Sequence, residues 1–286
     1  MEFTHYLDAK RSVDYRSLSE KVAKAFGEAL GKRPLQEATL VLELGCGTGA
    51  GAQRLLQRGV GLDAQWTLLD QDPKLVNLAV QNCTPLVNAA GLDGSIQGLV
   101  GQLGGAELGA QGGSFHAVTA QAVLDLFPLP EILPWIAQLG APQSYFYLTL
   151  NFDGLSLWEP VIDQDLDDRI ALAYHNSMDE RITQGKVSGD SRSGRHLFTL
   201  LPAHGLEIVT AASSDWAVWP QQGRYPAREA YFLECILEFY ATSLAGRHEI
   251  SPRELQHWLE TRRDQILGGK AVFLAHQWDF LAQKTN

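Results

Sequence analysis

The sequence predicts an α/β fold, a mostly parallel sheet with helices on both faces, and three observations predict it. Short apolar runs alternate with stretches of helical periodicity from residue 39 to 150. The first run ends in the glycine-rich turn Gly45-Cys46-Gly47-Thr48-Gly49, where a helix begins. The second ends in Asp70, and Asp72-Pro73 then opens another helix. Strands that alternate with helices pair in parallel through right-handed crossovers.

The elements follow in order. In residues 12–30, Val13, Leu18, Val22, Phe26 and Leu30 recur near one helical face, so one helix is expected, with Gly31 and Pro34 stopping it. Residues 39–44 read as a buried strand, and 52–57 begin the next helix. Residues 66–69 give a second strand. Asp72 then serves as N-cap and Pro73 fits the first helical position, with Leu75, Val76, Leu78 and Ala79 as the apolar face. Strands are expected at 95–100, 115–119 and 144–150, with a glycine-rich loop over 101–113.

The pattern changes after Asn151. Residues 153–200 are polar and helix-prone around the loop 185–191. Residues 206–209 suit a strand that extends through Trp216 to Trp219. Residues 228–244 are strongly helical. Ser251-Pro252-Arg253-Glu254 has the form of a capping box that opens a helix to about Leu267, and 271–280 suits a last strand. The expected domains are a helical lid (1–37), a nucleotide-binding core (38–150), an insert (151–205) and a completion of the sheet with added helices (206–286).

Composition narrows the function. The formal net charge of −10 repels phosphate backbones, which disfavours nucleic acid as a partner. No run approaches the roughly 18 uninterrupted apolar residues of a membrane span. The start, Met1-Glu2-Phe3-Thr4-His5, lacks a basic segment followed by an apolar one, so no secretory signal is expected. Cys46, Cys83 and Cys235 are odd in number and lack close metal-ligand spacing. A cytoplasmic protein with no metal follows as the expectation.

A strand, a glycine turn and a helix together make an anion and nucleotide site. Glycine lets the backbone approach a ligand, and the helix start offers unpaired N–H groups. A carboxylate at Asp70 can accept both hydroxyls of a ribose. The bland alternative is a tight turn without a ligand. Gly45-Cys46-Gly47-Thr48-Gly49-Ala50 also satisfies the loose dinucleotide pattern, so a nicotinamide cofactor and an oxidoreductase stay open at this point.

The wider segment Val41-Leu42-Glu43-Leu44-Gly45-Cys46-Gly47-Thr48-Gly49 resembles motif I of the class I S-adenosylmethionine-dependent methyltransferases. The resemblance implies a Rossmann-like, seven-stranded, mostly parallel sheet with an antiparallel last strand, plus a helical cap. It implies methyl transfer that leaves S-adenosylhomocysteine. It implies cofactor contacts from Gly45, Cys46, Gly47 and Gly49, from Glu43 at the amino-acid end, from Asp70 on the ribose and from Gln71 by the adenine. Gln102 and Leu103 stand where relatives often carry an acid for the adenine amino group. Ala120 and Gln121 stand near the methyl group. His116 replaces the family's usual acid and is read as structural. The amino-terminal helix is expected to close over the cofactor, with Arg11 and Tyr15 reaching its carboxylate. The resemblance spans residues 39 to about 150; a non-catalytic module that binds the cofactor is a further alternative.

The acceptor is less marked. Ala120-Gln121-Ala122-Val123 departs from the N-P-P-aromatic motif of amino methyltransferases, which disfavours DNA as acceptor. Tyr174, His175, Arg192 and Arg195 concentrate around one loop. Two guanidinium groups there can clamp a carboxylate or phosphate, so a small anionic acceptor is expected. The same charges also suit a merely solvated loop. His175 is the candidate general base, although a lone helical histidine is more often a packing residue. Tyr6 and Trp219 complete the candidate acceptor set.

Overall fold

The computed structural model describes residues 2–32, 38–108, 113–183 and 185–285. In chain order the elements are α1 (Phe3–Ser17), α2 (Glu20–Gly31), β1 (Leu40–Leu44), α3 (Ala50–Gln57), β2 (Gln65–Asp70), α4 (Pro73–Ala90), β3 (Ser95–Val100), β4 (Phe115–Gln121), α5 (Leu129–Leu139) and β5 (Gly140–Glu159). There follow α6 (Gln164–Asp179), β6 (Ile182–Thr183), β7 (Lys186–Val187), α7 (Ser193–Ala203), β8 (Leu206–Ser213), β9 (Trp216–Val218), α8 (Glu229–Leu244), α9 (Pro252–Leu267) and β10 (Val272–Lys284). The chain forms two compact units. One, the sheet unit, is Leu18–Asn151, Ser193–Ser214 and Trp278–Asn286; the other, the helical unit, is Met1–Ser17, Phe152–Arg192 and Asp215–Gln277.

In the sheet unit the strand order is β3-β2-β1-β4-β5-β10-β8. β1 pairs in parallel with β2 and β4, β2 with β3, and β4 with β5. β10 runs antiparallel to β8. This is the expected α/β sheet with its antiparallel last strand. Side chains alternate across it, as a period of two requires. Leu42, Leu44 and Val118 join α5 and α7 in a core with Leu133, Ile136, Leu197, Leu201 and Phe280. Val41 and Ala117 join α2, α3 and α4 in a second core with Val22, Phe26, Leu55, Trp66 and Cys83. Glu43, Thr119, Tyr147 and Thr149 follow the alternation onto this second face.

The helical unit packs α1, α6, α8 and α9 around Val13, Trp158, Ile170, Phe232, Leu237, Tyr240, Trp258 and Phe273. Its capping box is formed as expected: the Glu254 N–H donates to Ser251 Oγ, and the Ser251 N–H donates to Glu254 Oε2. Within the unit, β9 pairs with the first residues of β10. α1 is tied to buried Glu229 by Ser12 and by Arg16, whose Nη1 donates to Glu229 Oε1 at 2.6 Å.

Four expectations need correction. The helix over 12–30 is two helices, α1 and α2. Ser19 interrupts it as N-cap, with its hydroxyl accepting the Val22 N–H. The polar stretch after Asn151 begins as strand: β5 continues to Glu159, with Ser156 and Trp158 buried and Leu155 and Leu157 exposed. The lid boundary at 37 is crossed, because α1 buries Ala9 and Val13 in the helical unit while α2 buries Val22 and Phe26 under the sheet. The boundaries at 151–205 and 206–286 are crossed likewise, because α7, β8 and the end of β10 belong to the sheet unit. Pro34 and residues 109–112 of the expected loop lie outside the described residues.

Candidate active site

The turn after β1 is built by backbone requirement. Gly45, Gly47 and Gly49 have φ of +62°, +52° and +80°, the left-handed region that side chains disfavour. Space adds a second constraint. A Cβ on Gly45 would lie 2.7 Å from Val123 Cγ2, and one on Gly49 would lie 3.1 Å from Cys83 Sγ. The Cys46 N–H donates to Leu69 O at 2.9 Å, and the Gly49 N–H to Cys46 O at 2.8 Å, so the turn is tied to β2 and to itself. Gly51, in the first turn of α3, was not marked by the motif. A Cβ there would lie 2.2 Å from Glu43 Oε1.

Asp70 ends β2 and holds this turn. Its Oδ2 accepts the Gly47 N–H at 2.9 Å, and its Oδ1 accepts the Asp72 N–H at 3.0 Å. Each oxygen keeps a second lone pair, so both can still accept from a ligand hydroxyl. Gln71 follows, exposed.

Glu43 is 3% exposed and sits beneath α3, where its Oε1 accepts the Ala52 N–H at 3.1 Å. Its Oε2 is buried without a hydrogen-bond partner. Burial pushes the carboxyl up to about 8; the Ala52 N–H opposes the rise and the Asp70 charge adds to it. The acid is therefore mostly neutral at pH 7. Its burial under α3 is the reason.

The other sheet-unit positions are placed as follows. Gln102 is exposed and its carbonyl accepts the Gly105 N–H at 2.9 Å, while Leu103 is partly buried against the core. Ala120 is buried and Gln121 half-buried at the end of β4. His116 Nδ1 accepts the Leu40 N–H at 2.9 Å and so supports the start of β1, a structural role. Arg195 is exposed on α7.

The helical unit carries the remainder. Tyr174 stacks on Tyr240 at 4.0 Å between ring centroids. His175 Nε2 and Ser156 Oγ share a hydrogen bond of 2.9 Å, and Ser156 Oγ meets Tyr240 Oη at 3.0 Å. Burial lowers the His175 pKa; the Asp179 charge raises it and the Arg192 charge lowers it further. Arg192 thus belongs with Tyr174 and His175, whereas Arg195 lies in the sheet unit. Tyr6 packs on Phe232 and Phe239, the Arg11 guanidinium lies 5.2 Å over the Tyr15 ring, and Arg16 lies over Trp219. Ser156 and Tyr240 were missed because the start of the insert reads as helix-prone and hides the alternation that buries Ser156. Among the described residues no group of three or more His, Cys, Asp or Glu side chains is arranged to hold a metal, and no helix is long and apolar enough to cross a membrane.

Residues 41–141 match a family model described as a methyltransferase domain. This segment is a methyltransferase domain. A provisionally assigned methyltransferase from Bacillus halodurans C-125 superposes on the chain with a TM-score of 0.52 and 12% identity, covering 92% of this chain and 100% of its own. That likeness is one of fold, the Rossmann-like fold of the class I S-adenosylmethionine-dependent methyltransferases. A provisionally assigned sarcosine dimethylglycine methyltransferase from Galdieria sulphuraria is also similar (TM-score 0.45, 15% identity, 93% of this chain and 84% of its own). So is a geranyl diphosphate C-methyltransferase from Streptomyces coelicolor A3(2) (TM-score 0.46, 12% identity, 94% and 78%). No curated protein matches the chain. A methyltransferase domain points to S-adenosylmethionine rather than to a nicotinamide as the cofactor. The residues present fit it: glycines whose Cβ positions are filled, a helix start, and a carboxylate with lone pairs to spare.

Proposed function

We propose that the methyltransferase domain holds S-adenosylmethionine on the turn Gly45–Gly49 and that the enzyme methylates a small, anionic acceptor at an O, N, S or C atom. The observation that carries the cofactor part is the Asp70 carboxylate, fixed by two backbone N–H groups beside the turn. In this reading Asp70 takes the ribose hydroxyls, the backbone of Gly45, Cys46 and Gly47 lies against the cofactor, and Gln71 and Gln102 serve the adenine. When bound, the cofactor supplies an electrophilic methyl group on sulfonium.

The chain's own work is then to orient the acceptor and exclude water. The acceptor role is assigned to His175, Tyr174 and Arg192. His175 is kept neutral by burial and by the Arg192 charge, so its imidazole is able to take a proton at neutral pH. Arg192 supplies the positive charge that an anionic acceptor requires. The net charge of −10 disfavours nucleic acid in its place.

The test is a transfer assay with methyl-labelled S-adenosylmethionine against carboxylate- and phosphate-bearing small molecules. Labelling of one class, with an acceptor KM that rises in Arg192→Ala while kcat holds, is expected. Labelling confined to protein or RNA, or a KM unmoved by Arg192→Ala, would contradict the acceptor assignment.

A further inference from the structure

Ser156, on the buried face of β5, joins two residues that are distant in sequence. Its Oγ lies 2.9 Å from His175 Nε2 on α6 and 3.0 Å from Tyr240 Oη on α8. Ser156 is 8% exposed and Tyr240 1%, so both bonds are made away from bulk water. The rings are held in place: Tyr240 stacks on Tyr174 at 4.0 Å, and His175 lies 5.3 Å from Phe152. All five residues belong to the helical unit.

This geometry places the hydrogens. Burial raises the pKa of Tyr240, so its hydroxyl keeps its hydrogen at neutral pH. The Trp158 indole N–H can only donate. It acts on the Tyr240 oxygen and favours its charged form, without closing a hydrogen bond of its own. That oxygen is thus turned to receive from Trp158, and its hydrogen is directed at Ser156 Oγ. Ser156 has one hydrogen and two polar neighbours. With Tyr240 donating, the Ser156 hydrogen goes to His175 Nε2, which has to present a lone pair. The ring is neutral, because burial and the Arg192 charge outweigh the Asp179 charge. A neutral ring with its lone pair on Nε2 carries its hydrogen on Nδ1.

We propose that Tyr240 and Ser156 are positioning residues that act in series to impose the Nδ1–H tautomer on His175, with Nε2 as its proton-accepting atom. Histidine free in water favours the opposite tautomer, so a hydrogen bond at the ring has to impose this one. The consequence for turnover rests on the reading of His175 as general base; the tautomer itself does not.

The test is the nitrogen-15 spectrum of the histidine-labelled full chain at pH 8, with His175→Gln identifying the His175 signals. A protonated Nδ1 and an unprotonated Nε2 are expected. The reverse pattern would overturn the proposal. Ser156→Ala and Tyr240→Phe should each move the balance toward hydrogen on Nε2, whereas Ser156→Thr, which keeps the hydroxyl, should not. A balance unmoved in both of the first two would overturn it. Should those variants fail to fold, the native spectrum decides alone. In the methyl-transfer assay, the acidic limb of kcat should move to higher pH in Tyr240→Phe, because Ser156 Oγ, freed of its donor, then accepts better from a protonated Nε2. The expected tautomer with an unmoved limb would uphold the proposal and remove His175 as the base.

Discussion

Replacing Glu43 by Gln should change how stability depends on pH, and the direction can be worked out. The Glu43 carboxyl rises from 4.5 to about 8 on folding because it is buried. Between those values the folded chain binds more protons than the unfolded one, so this group makes stability fall as pH rises. Over the whole window the loss amounts to roughly 5 kcal/mol at 1.36 kcal/mol per pH unit. Glutamine keeps an oxygen to accept the Ala52 N–H, now at 3.1 Å from Oε1, and cannot ionise. The assay is urea unfolding of both proteins at pH 5, 6, 7 and 8, followed by tryptophan fluorescence. Asp279, pushed up to about 6 by its own burial, is common to both and cancels in the difference. The stability of Glu43→Gln relative to the native chain should climb steadily from pH 5 to pH 8. Parallel pH profiles would refute the reasoning, because they would mean that Glu43 does not hold a proton in the folded chain.

Gly45→Ala should lower the unfolding free energy by about 1–3 kcal/mol, since it adds a strained left-handed residue and a methyl against Val123; thermal unfolding measures it. Asp279→Asn should cost about 1–3 kcal/mol at pH 7, because the carboxylate accepts from both Leu150 N–H and Ser19 N–H and an amide offers only one oxygen. The cost should be larger at pH 5 than at pH 7, because a carboxyl that burial raises from 3.8 to about 6 makes native stability fall as pH rises while asparagine does not titrate, and urea unfolding at the two pH values compares them. By NMR titration His175 should show a midpoint below 6.5; Arg192→Ala should raise it and Asp179→Asn should lower it.

The sheet was readable because its strands announce themselves locally. Residues 41–44 and 66–69 are apolar runs closed by a glycine turn and by an acid, and Asp72-Pro73 places the start of α4 without tertiary information. The turn itself was legible because three backbone positions demand glycine and a short spacing brings Asp70 beside them. Glu43 was legible as an acid but not as a neutral one, since its ionisation depends on α3 closing over it. The helical unit was harder. Its members come from three separated segments, and only tertiary packing shows that α1 belongs with α8 rather than with α2. The pairing of Ser156 with His175 and Tyr240 joins residues far apart in the chain, and no local pattern carries it.

The central claim is that Asp70 and the glycine turn hold S-adenosylmethionine. Titration calorimetry of the native chain and of Asp70→Ala with S-adenosylhomocysteine, and with NAD⁺ as control, tests it most directly. The account predicts saturable binding of S-adenosylhomocysteine, weakened roughly tenfold to a hundredfold by Asp70→Ala as hydrogen bonds to a charged group are lost, and no heat from NAD⁺. Binding of NAD⁺ without S-adenosylhomocysteine, or equal affinity in the two proteins, would contradict it.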